Sequence, residues 1–236
     1  MKRLLLAGVF ALATFGSATA GPVSDFEDVY RQMYGAYRIV LFKTNLGDVG
    51  ASTEAMTSFT SQLDALSATY GAAPPPHYED DPHWDDTMAE VTQLAAATKA
   101  LIDAGELAEA HEVLEAVREA FSALHIRNGI QTFSDRMNAY HAEMEHLLAL
   151  DMATLDAKMM TKVHERAAVM SYLAAEVIAT PPADATGNDA YAKLVADFDI
   201  SVSALLDAVR SGDPDAVKAA VGKVKKPYSL LFVKFG

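Results

Sequence analysis

Residues Gly105 to Gly129, GELAEAHEVLEAVREAFSALHIRNG, recur as Gly212 to Gly236, GDPDAVKAAVGKVKKPYSLLFVKFG, at a shift of 107 residues without a gap. Phe121 falls on Tyr228, Leu124 on Leu231, Arg127 on Lys234 and Gly129 on Gly236. The same shift upstream sets Trp84 on Tyr191, Val91 on Phe198, Pro75 on Pro182, Tyr37 on Met144 and Phe26 on Phe133. A self-match of this length, with aromatic and proline positions kept, marks a tandem duplication. The fold must therefore be one that a unit of roughly 105 residues can build and then build again, each copy with its own core.

Hydrophobic spacing says what that unit is. Phe26, Tyr30, Met33, Tyr37, Val40 and Thr44 follow one another at steps of four and three, a heptad seam, after a capping box read at Ser24-Asp25-Phe26-Glu27. This helix ends near Gly47. Met56, Phe59, Leu63, Leu66 and Tyr70 define a second helix over about 52–70. The prolines of AAPPPHYEDDPHWDD, residues 72–86, make that stretch a loop. Trp84, Met88, Val91, Ala95, Thr98 and Ile102 form a third helix, stopped by Gly105, and Leu107, Ala110, Leu114, Val117, Phe121 and Leu124 a fourth.

The second copy keeps the order. Phe133, Met137, Tyr140, Met144 and Leu147 open it, a helix over about 154–179 follows, and Pro181-Pro182 start the loop. Tyr191, Val195, Phe198, Val202, Leu205 and Val209 make the third helix, and the fourth runs from Asp213-Pro214 to the end of the sequence. No segment alternates with period two. The expectation is all-α: two tandem up-down-up-down four-helix bundles, the first over residues 21–129 and the second over 130–236.

MKRLLLAGVFALATFGSATA, residues 1–20, has a basic start, an apolar run and a small-x-small ending at Ala18-Thr19-Ala20. That is the pattern of a cleaved export signal, which predicts a periplasmic or secreted protein. No later stretch is apolar for 18 residues, so no membrane insertion is expected after cleavage. Net charge is −13, and −15 once Lys2 and Arg3 are removed, which argues against nucleic-acid binding and leaves cations and basic proteins as partners. The absence of cysteine excludes disulfides, covalent c-type haem and thiolate metal sites.

In an up-down-up-down bundle the start of the first helix and the end of the fourth lie together. Met33 and His125 then face one another across the first core. In this arrangement, and in GELAEAHEVLEAVREAFSALH, in the loop PPHYEDDP before Met88, and in the spacing from Met33 to Glu54-Ala55-Met56-Thr57, the sequence resembles the cytochrome b562 family. The resemblance implies Met33 and His125 as axial ligands of one non-covalent haem b, and one-electron transfer with a redox protein partner. Tyr140 and Phe232 stand at the two ligand positions of the second copy, so one site at most is implied. Against it stands a reading from the residues alone, in which methionine fills the core and the histidine ends a helix.

Three further groups carry possible chemistry. His77 and His83, with Glu79, Asp80, Asp81, Asp85 and Asp86, could take a divalent transition metal or be a solvated loop. Met137, His141, Met144 and Glu145 could form a copper-binding face, although both methionines are also seam positions. Glu143-x-x-His146 is half of a di-iron carboxylate pattern with no second half, and Arg166 occupies the place of Phe59, with Asp151 a candidate partner. No G-x-S-x-G, P-loop, dinucleotide or H-E-x-x-H motif occurs, and no carboxylate pair is singled out, so the chain is read as no enzyme. The rival to the haem reading is a non-haem binding module on the same fold, for copper or another divalent metal, a small molecule or a protein.

Overall fold

The structure, a computed structural model, describes residues 21–236; the export signal read at 1–20 lies outside them. The first copy holds α1 (Pro22–Asn45), α2 (Val49–Tyr70), α3 (Trp84–Ala104) and α4 (Leu107–Arg127). The second holds α5 (Phe133–Leu148), α6 (Ala157–Ala179), a 3-10 turn at Ala183–Ala185, α7 (Asp189–Ser211), α8 (Pro214–Val221) and α9 (Lys225–Phe235). No strand forms among the described residues, and no helix there is long and apolar enough to cross a membrane.

The seams do the packing. Every seam residue of α1, α3 and α4 named above is buried, and α1 packs on α2 and α4 while α3 packs on α2 and α4, closing a ring of four helices. In the second copy α5 packs on α6, α6 on α7, α7 on α8 and α9, and α9 back on α5. The two copies are thus two four-helix bundles, as the heptads require. Gly105 and Gly212, at the same place in the repeat, end α3 and α7 at φ of 79° and 73°, a left-handed turn open at little cost only to glycine.

Two boundaries differ from expectation. Helix α1 starts at Pro22 with no side-chain cap, so Ser24 to Glu27 lie inside its first turns and form no capping box. Proline at the first position already has the helical φ and lacks only an N–H that would go unused. A capping box does form at α5, where Thr132 and Asp135 each bond the other's backbone N–H. The fourth helix of the second copy is broken between Val221 and Lys225. Pro227 has no N–H to give and its ring crowds the carbonyl four residues back, at Lys223, so one continuous helix is impossible there.

The bundles meet along α1 and α4 on one side and α5 and α9 on the other. Arg38 Nη1 donates to the Phe232 carbonyl at 2.9 Å, Asn138 Nδ2 to the Tyr34 hydroxyl at 3.3 Å, and His125 meets Asp135.

Candidate functional site

His125 is buried near the end of α4. Its Nδ1 lies 2.9 and 3.0 Å from the two oxygens of Asp135, at the start of α5. A carboxylate only accepts, so Nδ1 carries the proton. Burial alone would raise the Asp135 pKa; the hydrogen bond from His125, with those from the Thr132 backbone and hydroxyl, outweighs it and holds the carboxyl below its ordinary value.

The α1 aromatic ring against it is Tyr30, centroid to centroid 5.5 Å, with Tyr78 stacked at 6.4 Å. Met33 is wholly buried one turn further along. The rings of Tyr30, Tyr34 and Phe121 pack on one another at 5.2 to 6.3 Å in this part of the core. Neither Met33 nor His125 lines a cleft at the junction of the bundles. Tyr30 thus packs its ring on His125 in the first core, and the Nδ1 of that histidine is already committed to Asp135. Tyr140 and Phe232, their counterparts in the second bundle, are likewise buried.

The other sequence candidates separate. His83 is exposed and pairs with Asp86 at 3.1 Å, and His77 packs edge-on against Tyr78. Asp81 is taken up by Arg127, at 2.8 Å, and by Asn128, at 2.7 Å, which pin the loop to the end of α4. Met137 and Met144 are buried in the second core, whereas His141 and Glu145 line a cleft, so the four form no single face. Arg166 bonds both oxygens of Glu143 at 3.0 Å, and Asp151 instead accepts from the Ala153 backbone. Among the described residues no three His, Cys, Asp or Glu side chains converge on a metal-sized point.

What the structure does bring together lies at the junction of the bundles, a cleft of about 410 Å³ walled by α1, α4, α5 and α9. Helix α4 supplies His111, Glu115 and Arg118; α5 supplies His141 and Glu145; α9 supplies Lys225 and Tyr228. Two His-x-x-x-Glu pairs, one on each bundle, thus line one cleft. His111 Nε2 lies 3.7 Å from Glu115 and His141 Nε2 3.6 Å from Glu145. His111 Nδ1 sits 3.2 Å from the Leu41 carbonyl and 3.1 Å from the Thr44 hydroxyl. Because the carbonyl only accepts, the proton belongs on Nδ1, and in the neutral ring Nε2 keeps its lone pair for the cleft.

Each carboxylate also has a cation. Arg118 Nη2 bonds Glu115 at 2.9 Å and Lys225 Nζ bonds Glu145 at 3.2 Å. His141 stacks on Tyr228, centroids 5.4 Å apart. Burial, then the Arg118 charge, outweigh the nearby glutamates and depress its pKa to about 4, so the imidazole is neutral at pH 7. The Tyr37, Tyr140 and Tyr228 hydroxyls nearby are buried without a hydrogen-bond partner.

His111, Glu115, Arg118 and Lys225 escape a reading of the sequence by motif. The only signal for them is the repetition of His-x-x-x-Glu on two consecutive helices, and Arg118 standing beside the seam residue Val117. Comparison with known protein families, with curated proteins and with solved structures finds no match.

Proposed function

We propose that this chain is an exported, non-haem binding module that holds a small zwitterionic solute, of the amino-acid or short-peptide class, between its two bundles. Export rests on the signal pattern of residues 1–20, the rest on the junction. The observation that carries the reading is the juxtaposition of Arg118 with Glu115 and Lys225 with Glu145 along one cleft of about 410 Å³. A ligand with an ammonium and a carboxylate matches both signs, and Phe42, Tyr228 and Phe232 supply apolar wall for its body. The two cations beside the histidines disfavour a metal ion in the same place.

The test is isothermal titration of the mature protein with glycine, lysine, glutamate and glycylglycine. Lys225→Gln and Glu145→Gln serve as comparisons, since both side chains are about half exposed and their loss leaves the cores intact. Binding of at least one probe, weakened in both variants, is the expected outcome. Binding of none, or binding indifferent to both substitutions, contradicts the proposal.

A further inference from the structure

Arg38 is a charged residue only 8% exposed, and its guanidinium has one hydrogen bond, from Nη1 to the Phe232 carbonyl. Its Nε is buried without a partner, and no carboxylate lies within 4 Å of it among the described residues. Arg118, Arg127 and Arg166 show the contrast, each holding a carboxylate at 2.8 to 3.0 Å. A buried cation left without a counter-charge is costly to keep. The carbonyl in the last turn of α9 offsets part of that cost through the negative end of the helix dipole.

Arg38 lines the first cleft and also a second one, of about 680 Å³, between α1, the start of α5, the 3-10 turn and the end of α9. The cleft has an apolar wall of Tyr30, Tyr34, Phe133 and Phe235, with the hydroxyls of Thr132 and Ser134 beside it. Asp28, Glu27 and Asp184 line it too; Asp28 is held by Arg31, and neither of the others reaches Arg38. We propose that this cleft is a carboxylate site, in which Arg38 receives the acid group of an amphiphilic monocarboxylic acid whose body lies on the aromatic wall. The planar guanidinium matches a carboxylate in shape and charge. Glu27 and Asp184, which hold no cation within 4 Å among the described residues, repel a second negative charge in the same cleft, which selects a monoanion over phosphate or a dicarboxylate. The assignment does not rest on the zwitterion site: Arg38 borders both clefts, but the charged pairs that carry the zwitterion reading, Arg118 with Glu115 and Lys225 with Glu145, line only the first.

The experiment titrates the mature protein with benzoate, phenylacetate and octanoate, and with benzamide, phenylacetamide and octanamide as uncharged counterparts, by calorimetry at pH 7. One acid binds at least about tenfold more tightly than its amide, the loss expected when a charge-assisted hydrogen bond is replaced. Arg38→Met abolishes that preference, Arg38→Lys keeps the charge and binds more weakly, and Lys225→Gln, in the other cleft, leaves it unchanged. Because Arg38→Met removes a charge without a partner, the unliganded variant unfolds at the parent's midpoint or above it. No acid bound, acid and amide bound alike, or a preference that survives Arg38→Met overturns the assignment. Should Arg38→Met fail to fold, the acid-to-amide ratio of the parent and of Arg38→Lys decides.

Discussion

Arg118 and Lys225 stand 107 residues apart, at the same place in the two copies, and so do Tyr34 and His141, Arg38 and Glu145, and His125 and Phe232. The cores of the two bundles keep apolar residues at most seam positions, Arg166 in the place of Phe59 and Asp151 in the place of Thr44 being departures. At the junction, equivalent positions have parted: tyrosine against histidine, arginine against glutamate. Duplication alone gives two like faces, and like charges placed opposite one another repel. The divergence supplies opposite charges where the copies meet, and it leaves two clefts there instead of a packed seam. On the proposed reading, binding belongs to the junction, where most equivalent positions have parted, and folding to the seams.

The sharpest way to break this contrast is to look for a ligand inside the shared part. Titrated with haem and followed by absorbance, the mature protein should give no stoichiometric low-spin spectrum that depends on Met33 and His125. One equivalent bound, and lost in Met33→Ala or His125→Ala, would move the function from the junction into the first core.

Giving the first copy the second copy's residue is the next perturbation. His125→Phe removes the Nδ1 hydrogen bond to Asp135, which keeps its bonds from Thr132, and should cost about 2 kcal/mol in urea unfolding, the scale of a hydrogen bond to a charged group. The reverse exchange, Phe232→His, replaces a buried apolar ring by a polar one and should not return that stability. An equal loss in both would mean that the His125 and Asp135 contact carries little weight.

Protonation sharpens the comparison at Tyr34 and His141. A histidine whose folded pKa is depressed from 6.5 to about 4 binds its proton more readily when unfolded. Its stability contribution is complete above pH 6.5 and declines as pH falls from there toward 4, by on the order of 2–3 kcal/mol. His141→Tyr, which installs the first copy's residue, should flatten that part of the curve. Asp135 acts in a lower window, since its folded pKa lies below the ordinary carboxylate value and its contribution is lost only as pH falls through it. The smallest effect probes the shared part: Gly105→Ala and Gly212→Ala should each cost about 1 kcal/mol, and equally, because both glycines close the same left-handed turn.

Much of the fold was legible because a seam is a local pattern. Met33, Phe59, Val91, Leu114, Met137 and Leu205 were all placed inside by spacing alone, and all are buried. The break in the last helix was missed because apolar residues at helical spacing run on across it, while Pro227 acts through a backbone clash that periodicity does not register. The site was far less legible. His141 and Glu145 stand out in the sequence, but as one face with Met137 and Met144. Each step of four residues turns about 40° around a helix, enough to carry residues from the core side to the junction. His111, Arg118 and Lys225 join them only through packing between bundles, and Arg38 only through a carbonyl 194 residues away. That the Tyr30 ring packs on His125 is a choice made by side-chain packing that the heptad leaves open.

Calorimetric titration of the mature protein with the four zwitterionic probes, repeated on Lys225→Gln and Glu145→Gln, bears most directly on the claim that the ligand sits between the bundles. The account predicts saturable binding of at least one probe, weakened by about tenfold in each variant, the scale of a lost charge-assisted contact. Heats indistinguishable from dilution for every probe, or affinities unchanged in both variants, would contradict it.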